Sequence, residues 1–156
     1  MSFVVELCKD LCYTQSTFMN NWQKQPRKER RKVELRTAVS PRDVKHYTTE
    51  RLREEFLIQN LFVPGEIKLV YSHIDRIITG AAVPTAPIKL TAGDELRAEY
   101  FCQRRELGVI NIGGAGKITI DGKVYNVGFK EGMYIGMGSK DITFESVDNA
   151  APAKFY

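Results

Sequence analysis

The chain has 156 residues with 43% hydrophobic and 27% charged content, which fits one ordinary globular domain with room for a real core. Its formal charge of +4 is unevenly placed. Residues 1–36 carry eight Lys/Arg against four acids and residues 37–156 carry fifteen of each, so the body offers no clustered basic face for nucleic acid. The three cysteines (Cys8, Cys12 and Cys102) form no paired framework and suit a reducing compartment. No apolar run approaches the roughly 20 residues of a membrane span. The first residues lack a basic region ahead of the short run Phe3-Val4-Val5, as a secretory signal would require. These features give a cytoplasmic protein with no nucleic-acid and no membrane partner.

In chain order, residues 1–36 read as a basic, poorly ordered extension, with Arg27-Lys28-Glu29-Arg30-Arg31-Lys32 at its centre. A basic arm for nucleic acid or a membrane surface is the alternative. Residues 37–156 read as the folded domain. Ser40-Pro41-Arg42-Asp43 is a helix start, with Ser able to accept from the N3 amide and Pro suited to N1. Thr48 or Thr49 caps a second short helix running to about Leu57, with Leu52 and Phe56 one turn apart on its buried side.

From Glu66 the period becomes two. Ile67, Leu69 and Tyr71 alternate with Glu66, Lys68 and Val70, and the strand reading continues over Ile74–Thr79. Gly80–Pro87 is a break, and Ile88-Lys89-Leu90 is a short strand. Residues 99–140 hold the densest glycine and β signal. There Asp121-Gly122 joins two β-rich arms and predicts a type I′ hairpin. Asp141–Val147 and Ala153–Tyr156 are the last strands, the second cut off at the chain end in a way that hints at a longer protein. Short strands with glycine turns predict an all-β sandwich or jelly-roll barrel after one or two short helices. Gly113-Gly114-Ala115-Gly116-Lys117 lacks the Lys-Ser/Thr ending of a phosphate loop and reads as a barrel turn.

The pattern Gly116-x-Ile118-x-Ile120-Asp121-Gly122, Val127-Gly128, Gly132-x-x-Ile135-Gly136 resembles the central hairpin of the cupin barrel. Three longer strings make the likeness more specific: Tyr71-Ser72-His73-Ile74-Asp75-Arg76-Ile77-Ile78, then Arg104 to Gly116, then Pro152-Ala153-Lys154-Phe155-Tyr156. With them, residues 41–156 resemble the N-terminal half of the 5-keto-4-deoxyuronate isomerase family, the ketol-isomerases of pectin breakdown. The resemblance implies a cupin-like fold, a two-cupin subunit with zinc in the second cupin, and a hexamer. It also implies interconversion of 5-keto-4-deoxyuronate with its 2,5-diketo isomer, a proton transfer between adjacent carbons through an enediol. The partners it implies are a small uronate substrate and either the missing C-terminal cupin half or self-association. A stand-alone, non-catalytic module for uronate binding or assembly is the other reading.

Cupins commonly hold metal through H-x-H-x(3 or 4)-E-x6-G and a second motif ending in His. Laid on this chain, the pattern puts Tyr100 and Cys102 at the first His positions, Glu106 at the acid and Asp141 at the last His. The resemblance therefore implies a barrel without its metal. No zinc or other cofactor is expected for this chain, its family's zinc ligands lying in the half not present, and no catalytic residue can be assigned. The chain alone is expected to be inactive. Arg76, Arg104 and Arg105 could meet a uronate carboxylate in bidentate fashion, or form salt bridges with Glu99, Glu106 or Asp75. His73 reads either as part of a strand polar cluster or as a substrate-facing group. His46 reads as a surface or packing residue.

Overall fold

A computed structural model describes residues 33–156. The basic run at 27–32 and the order expected of residues 1–32 lie outside the described residues. Among the described residues strands dominate, interrupted by two short α-helices and two 3₁₀ turns. The strands are β1 (Glu34–Arg36), β2 (Ile67–Ser72), β3 (Ile78–Ala82), β4 (Ile88–Leu90), β5 (Leu107–Ile110), β6 (Gly116–Ile120), β7 (Lys123–Val127), β8 (Gly132–Ile135) and β9 (Ile142–Ser146). They make three sheets, in the orders β1-β2-β3, β4-β9-β6-β7 and β5-β8.

The folded body begins earlier than residue 37. Glu34–Arg36, read from sequence as part of the extension, form β1 and pair in parallel with Val70–Ser72, while Val33 is buried. Three residues with two charges carry no alternation, so the strand is specified by its partner rather than by its own pattern.

Helix α1 (Pro41–Val44) starts at Ser40, whose side chain accepts from the Arg42 amide at 3.3 Å, one residue nearer than the expected N3 amide. Helix α2 (Thr49–Phe56) is capped by Thr48. Its apolar edge is not buried: Leu52 is 37% and Phe56 51% exposed. The helix is held instead through its C-terminal carbonyls, where the Arg36 guanidinium donates to Glu55 O and Leu57 O at 3.3 and 3.0 Å.

β2 and β3 form a hairpin, so the strand expected over 74–79 is interrupted. Residues 73–77 form the tip, closed by Ser72 N donating to Ile77 O at 2.9 Å. β3 then runs through Gly80, where a break was expected. The Asp121-Gly122 hairpin is as predicted. Ile120 pairs with Lys123, and both loop residues have positive φ, 48° and 83°. Asp121 does more than turn: its carboxylate accepts from the Asp141 amide at 2.9 Å, tying the loop to the start of β9.

The last residues join the sheets. Phe155 exchanges two backbone hydrogen bonds with Ala82 on β3, and Tyr156 exchanges two with Ile110 on β5. Ile118, Val127, Ile135, Ile142, Phe144 and Phe155 meet in one apolar core with Cys102 and Val109. Ser146 is buried and satisfied, its hydroxyl donating to Pro84 O at 2.5 Å and accepting from the Ala153 amide at 3.0 Å. No helix among the described residues is long and apolar enough to cross a membrane.

Candidate functional site

The four candidate substrate-binding residues fall on two loops. His73 and Arg76 are at the exposed tip of the β2–β3 hairpin. Asp75 and Arg76 both adopt left-handed backbone, φ 54° and 53°, an uncommon state for non-glycine residues. The tip is pinned below them: His73 N donates to Arg36 O at 2.8 Å, and the His73 ring meets Tyr71 edge-on at 5.4 Å. His73 is thus braced by β1 and by Tyr71 of its own hairpin, and both His73 and Arg76 are exposed.

Arg104 and Arg105 follow a 3₁₀ turn at Phe101–Gln103. Arg104 is exposed and edges a solvent-open hollow shared with Arg97, Glu99 and Gln103. Arg105 is half-buried, its guanidinium 5.6 Å from the centre of the Phe101 ring. Its Nε is enclosed and finds no hydrogen-bond acceptor among the described residues. No hydrogen bond or ion pair among the described residues joins the hairpin pair to the Arg104–Arg105 pair. The expected salt bridges from these arginines to Glu99, Glu106 or Asp75 are likewise absent among the described residues. His46 is exposed after α1.

The four positions given by the metal pattern do not converge. That pattern needs alternate residues on a strand, which face one way. Here residues 101–103 form a 3₁₀ turn, so Tyr100 and Cys102 are not in that relation. Cys102 is fully buried among apolar side chains. Burial pushes its thiol pKa up, against a smaller opposing pull from the Arg105 charge, so the thiol stays protonated and is a poor ligand. The Glu106 carboxylate is the main influence that raises the pKa of the exposed Tyr134 phenol. Asp141 is exposed and pairs with Lys89. Among the described residues no three His, Cys, Asp or Glu side chains come together as a metal would require. A zinc ion does not fit these four residues.

Cys102 gives a direct check. With Cys8 and Cys12 replaced by Ser, the native protein should react with an aromatic disulfide reagent at least about a hundredfold more slowly than the unfolded chain, because the thiol must first be exposed. The raised pKa fixes the pH trend. Its contribution to stability is fully present below the unfolded thiol's pKa of about 8.5 and is lost as pH rises through the folded value. Alkaline denaturation of Cys102→Ala should therefore be shallower than that of its parent.

Sequence reasoning missed the most heavily bonded polar side chain in the domain. Asn111 is fully buried at the end of β5. Its Nδ2 donates to Gly114 O at 2.8 Å and Val127 O at 2.9 Å, and its Oδ1 accepts from Gly113 N at 3.0 Å and Lys154 N at 3.2 Å. One side chain thus ties β5, β7, the glycine turn and the C-terminal segment together. The available signal was a lone polar residue between Ile110 and Ile112, directly before Gly113-Gly114.

No family model matches the chain. Individual relatives do. The chain is 74% identical over 125 residues to the 4-deoxy-L-threo-5-hexosulose-uronate ketol-isomerase of Lachnoclostridium phytofermentans, covering 80% of this chain and 45% of that protein. It is 54% identical over 125 residues to the protein of the same name from Lachnospira eligens, and 47% identical over 127 residues to that of Escherichia coli strain SMS-3-5, at similar coverage. The chain spans a little under half the length of these relatives. Over four fifths of its length, this chain is thus similar to one part of proteins named 4-deoxy-L-threo-5-hexosulose-uronate ketol-isomerase.

Proposed function

We propose that this chain is the N-terminal, cupin-like half of a cytoplasmic ketol-isomerase acting in uronate breakdown, and that it serves assembly rather than chemistry. The carrying observation is the 74% identity over four fifths of the chain to a protein named for that isomerase. The reaction of such an enzyme interconverts 5-keto-4-deoxyuronate and 3-deoxy-D-glycero-2,5-hexodiulosonate. It needs a base beside a C–H bond and an electrophile at the adjacent carbonyl oxygen. The residues at the metal-pattern positions are poorly placed to supply that pair. Cys102 is sealed in the core, and Asp141 is exposed and paired with Lys89. The chemistry, and the zinc that would serve it, then belongs to the part of the relatives that this chain does not span. His73 and Arg76 at the hairpin tip, and Arg104 beside its hollow, remain open to a uronate carboxylate brought by a neighbouring chain or half.

Exposed apolar side chains favour an assembly role. The outer face of β5 and β8 presents Ile110 and Tyr134, 50% and 67% exposed, with Tyr156 alongside at 51%. Such surface normally marks an interface. Light scattering across a concentration series should show self-association of the chain, and Ile110→Lys combined with Tyr134→Lys should reduce it. A clean monomer at every concentration would count against the assembly role.

A further inference from the structure

Between the β2–β3 hairpin and the strands facing it lies a cavity of about 200 Å³. Its origin is legible in β3. All five residues of that strand line the cavity, and three of them, Gly80, Ala81 and Ala82, are small. Gly80 pairs with Leu69 across the hairpin. A Cβ at Gly80 would lie 2.5 Å from Leu69 Cδ2, so the Leu69 side chain leans across the bare glycine. The opposite wall is Val109, Phe144 and Phe155. Well-packed cores seldom leave a space this large.

The lining decides what the space can take. It contains no charged side chain, and Thr79 and Tyr156 contribute the only side-chain hydroxyls. A carboxylate or a sugar would give up water there without enough partners to replace it. An uncharged apolar molecule loses nothing comparable, and apolar cavities of about 150 Å³ are known to take benzene or xenon. The way in is also present, since Ile77 lines the cavity and is 61% exposed.

We propose that this cavity is a binding site for a small, uncharged apolar molecule, aromatic or short-chain aliphatic, of roughly seven to nine non-hydrogen atoms. The site is separate from the hairpin tip and the Arg104 hollow. It stands whether or not the chain is part of an isomerase.

Toluene is the probe, followed by ¹³C-methyl NMR of the full chain, with galacturonate titrated in parallel. Toluene should give saturable shifts at the methyl groups of Leu69, Leu90 and Val109, and galacturonate should leave them unmoved. Ala82→Leu puts a side chain into the space and should weaken toluene binding by about tenfold or more. Since that variant could fail to fold, Val109→Ala gives a second reading. Enlarging the cavity should shift preference toward naphthalene over toluene by about tenfold. Non-saturating shifts would overturn the proposal, as would shifts confined to exposed methyls such as those of Val124. Unchanged toluene affinity in a folded Ala82→Leu chain, or movement of the cavity methyls by galacturonate, would overturn it equally.

Discussion

Asn111→Ala should be the most damaging single substitution of a polar residue in the domain, lowering unfolding free energy by about 3–5 kcal/mol. Removing the side chain takes a partner from Gly114 O, Gly113 N and Lys154 N at once, and a second one from Val127 O, which also pairs across β6. Each buried group left without a partner costs about 1–3 kcal/mol, and the part-buried ones regain some of that from water. A loss of this size is a large share of the roughly 5–15 kcal/mol that holds a domain folded, and should lower Tm by more than about 10 °C. Asn111→Asp tests the reason. It keeps the acceptor oxygen but loses both donors and places a charge in the core, so it should also be strongly destabilised at neutral pH. It should recover partly in acid, where a protonated carboxyl can donate one bond. Asn126→Ala on exposed β7 is the control and should stay within about 0.5 kcal/mol. Thermal unfolding followed by circular dichroism measures all three.

Gly116→Val should cost about 3 kcal/mol, for a steric rather than a conformational reason. A Cβ there would sit 2.5 Å from Phe155 Cζ, 2.7 Å from Ala153 Cβ and 3.0 Å from Glu145 O. The phenyl ring belongs to the core and the carbonyl to a paired strand, so neither can withdraw freely. Gly113 and Gly114 face the same C-terminal segment, which approaches their Cα atoms closely. Two other glycines separate the causes. Gly122→Ala meets no atom within 4 Å but forces a Cβ onto φ 83°, and should cost about 1 kcal/mol through strain alone. Gly108→Ala has neither problem and should be near neutral. Equal losses at Gly116 and Gly108 would refute the close-approach explanation.

What could be read in advance was short-range. The Asp121-Gly122 turn was legible because both loop positions need φ > 0 and the residues say so. The caps at Ser40 and Thr48 were legible for a similar reason, since a side-chain oxygen beside a helix start satisfies an orphan amide. The β2–β3 turn was not, because no glycine or proline marks it. Asp75 and Arg76 accept left-handed backbone only because the flanking strands are paired. Leu52 and Phe56 showed a face by their spacing, but spacing does not say what covers that face, and nothing described does. The metal pattern was laid over residues 100–106 on the premise that they formed a strand. The 3₁₀ turn there removes the premise, while Cys102 turns inward as core. Asn111 escaped because its value lies in four partners up to 43 residues away.

The proposed assembly role leaves the isomerase chemistry to the part of the relatives that this chain does not span. The most direct measurement is turnover of 5-keto-4-deoxyuronate by the purified chain, with and without added zinc, followed by the appearance of the 2,5-diketo isomer. No rate above background is expected under either condition. Sustained turnover by the chain alone, with zinc or without it, would contradict it.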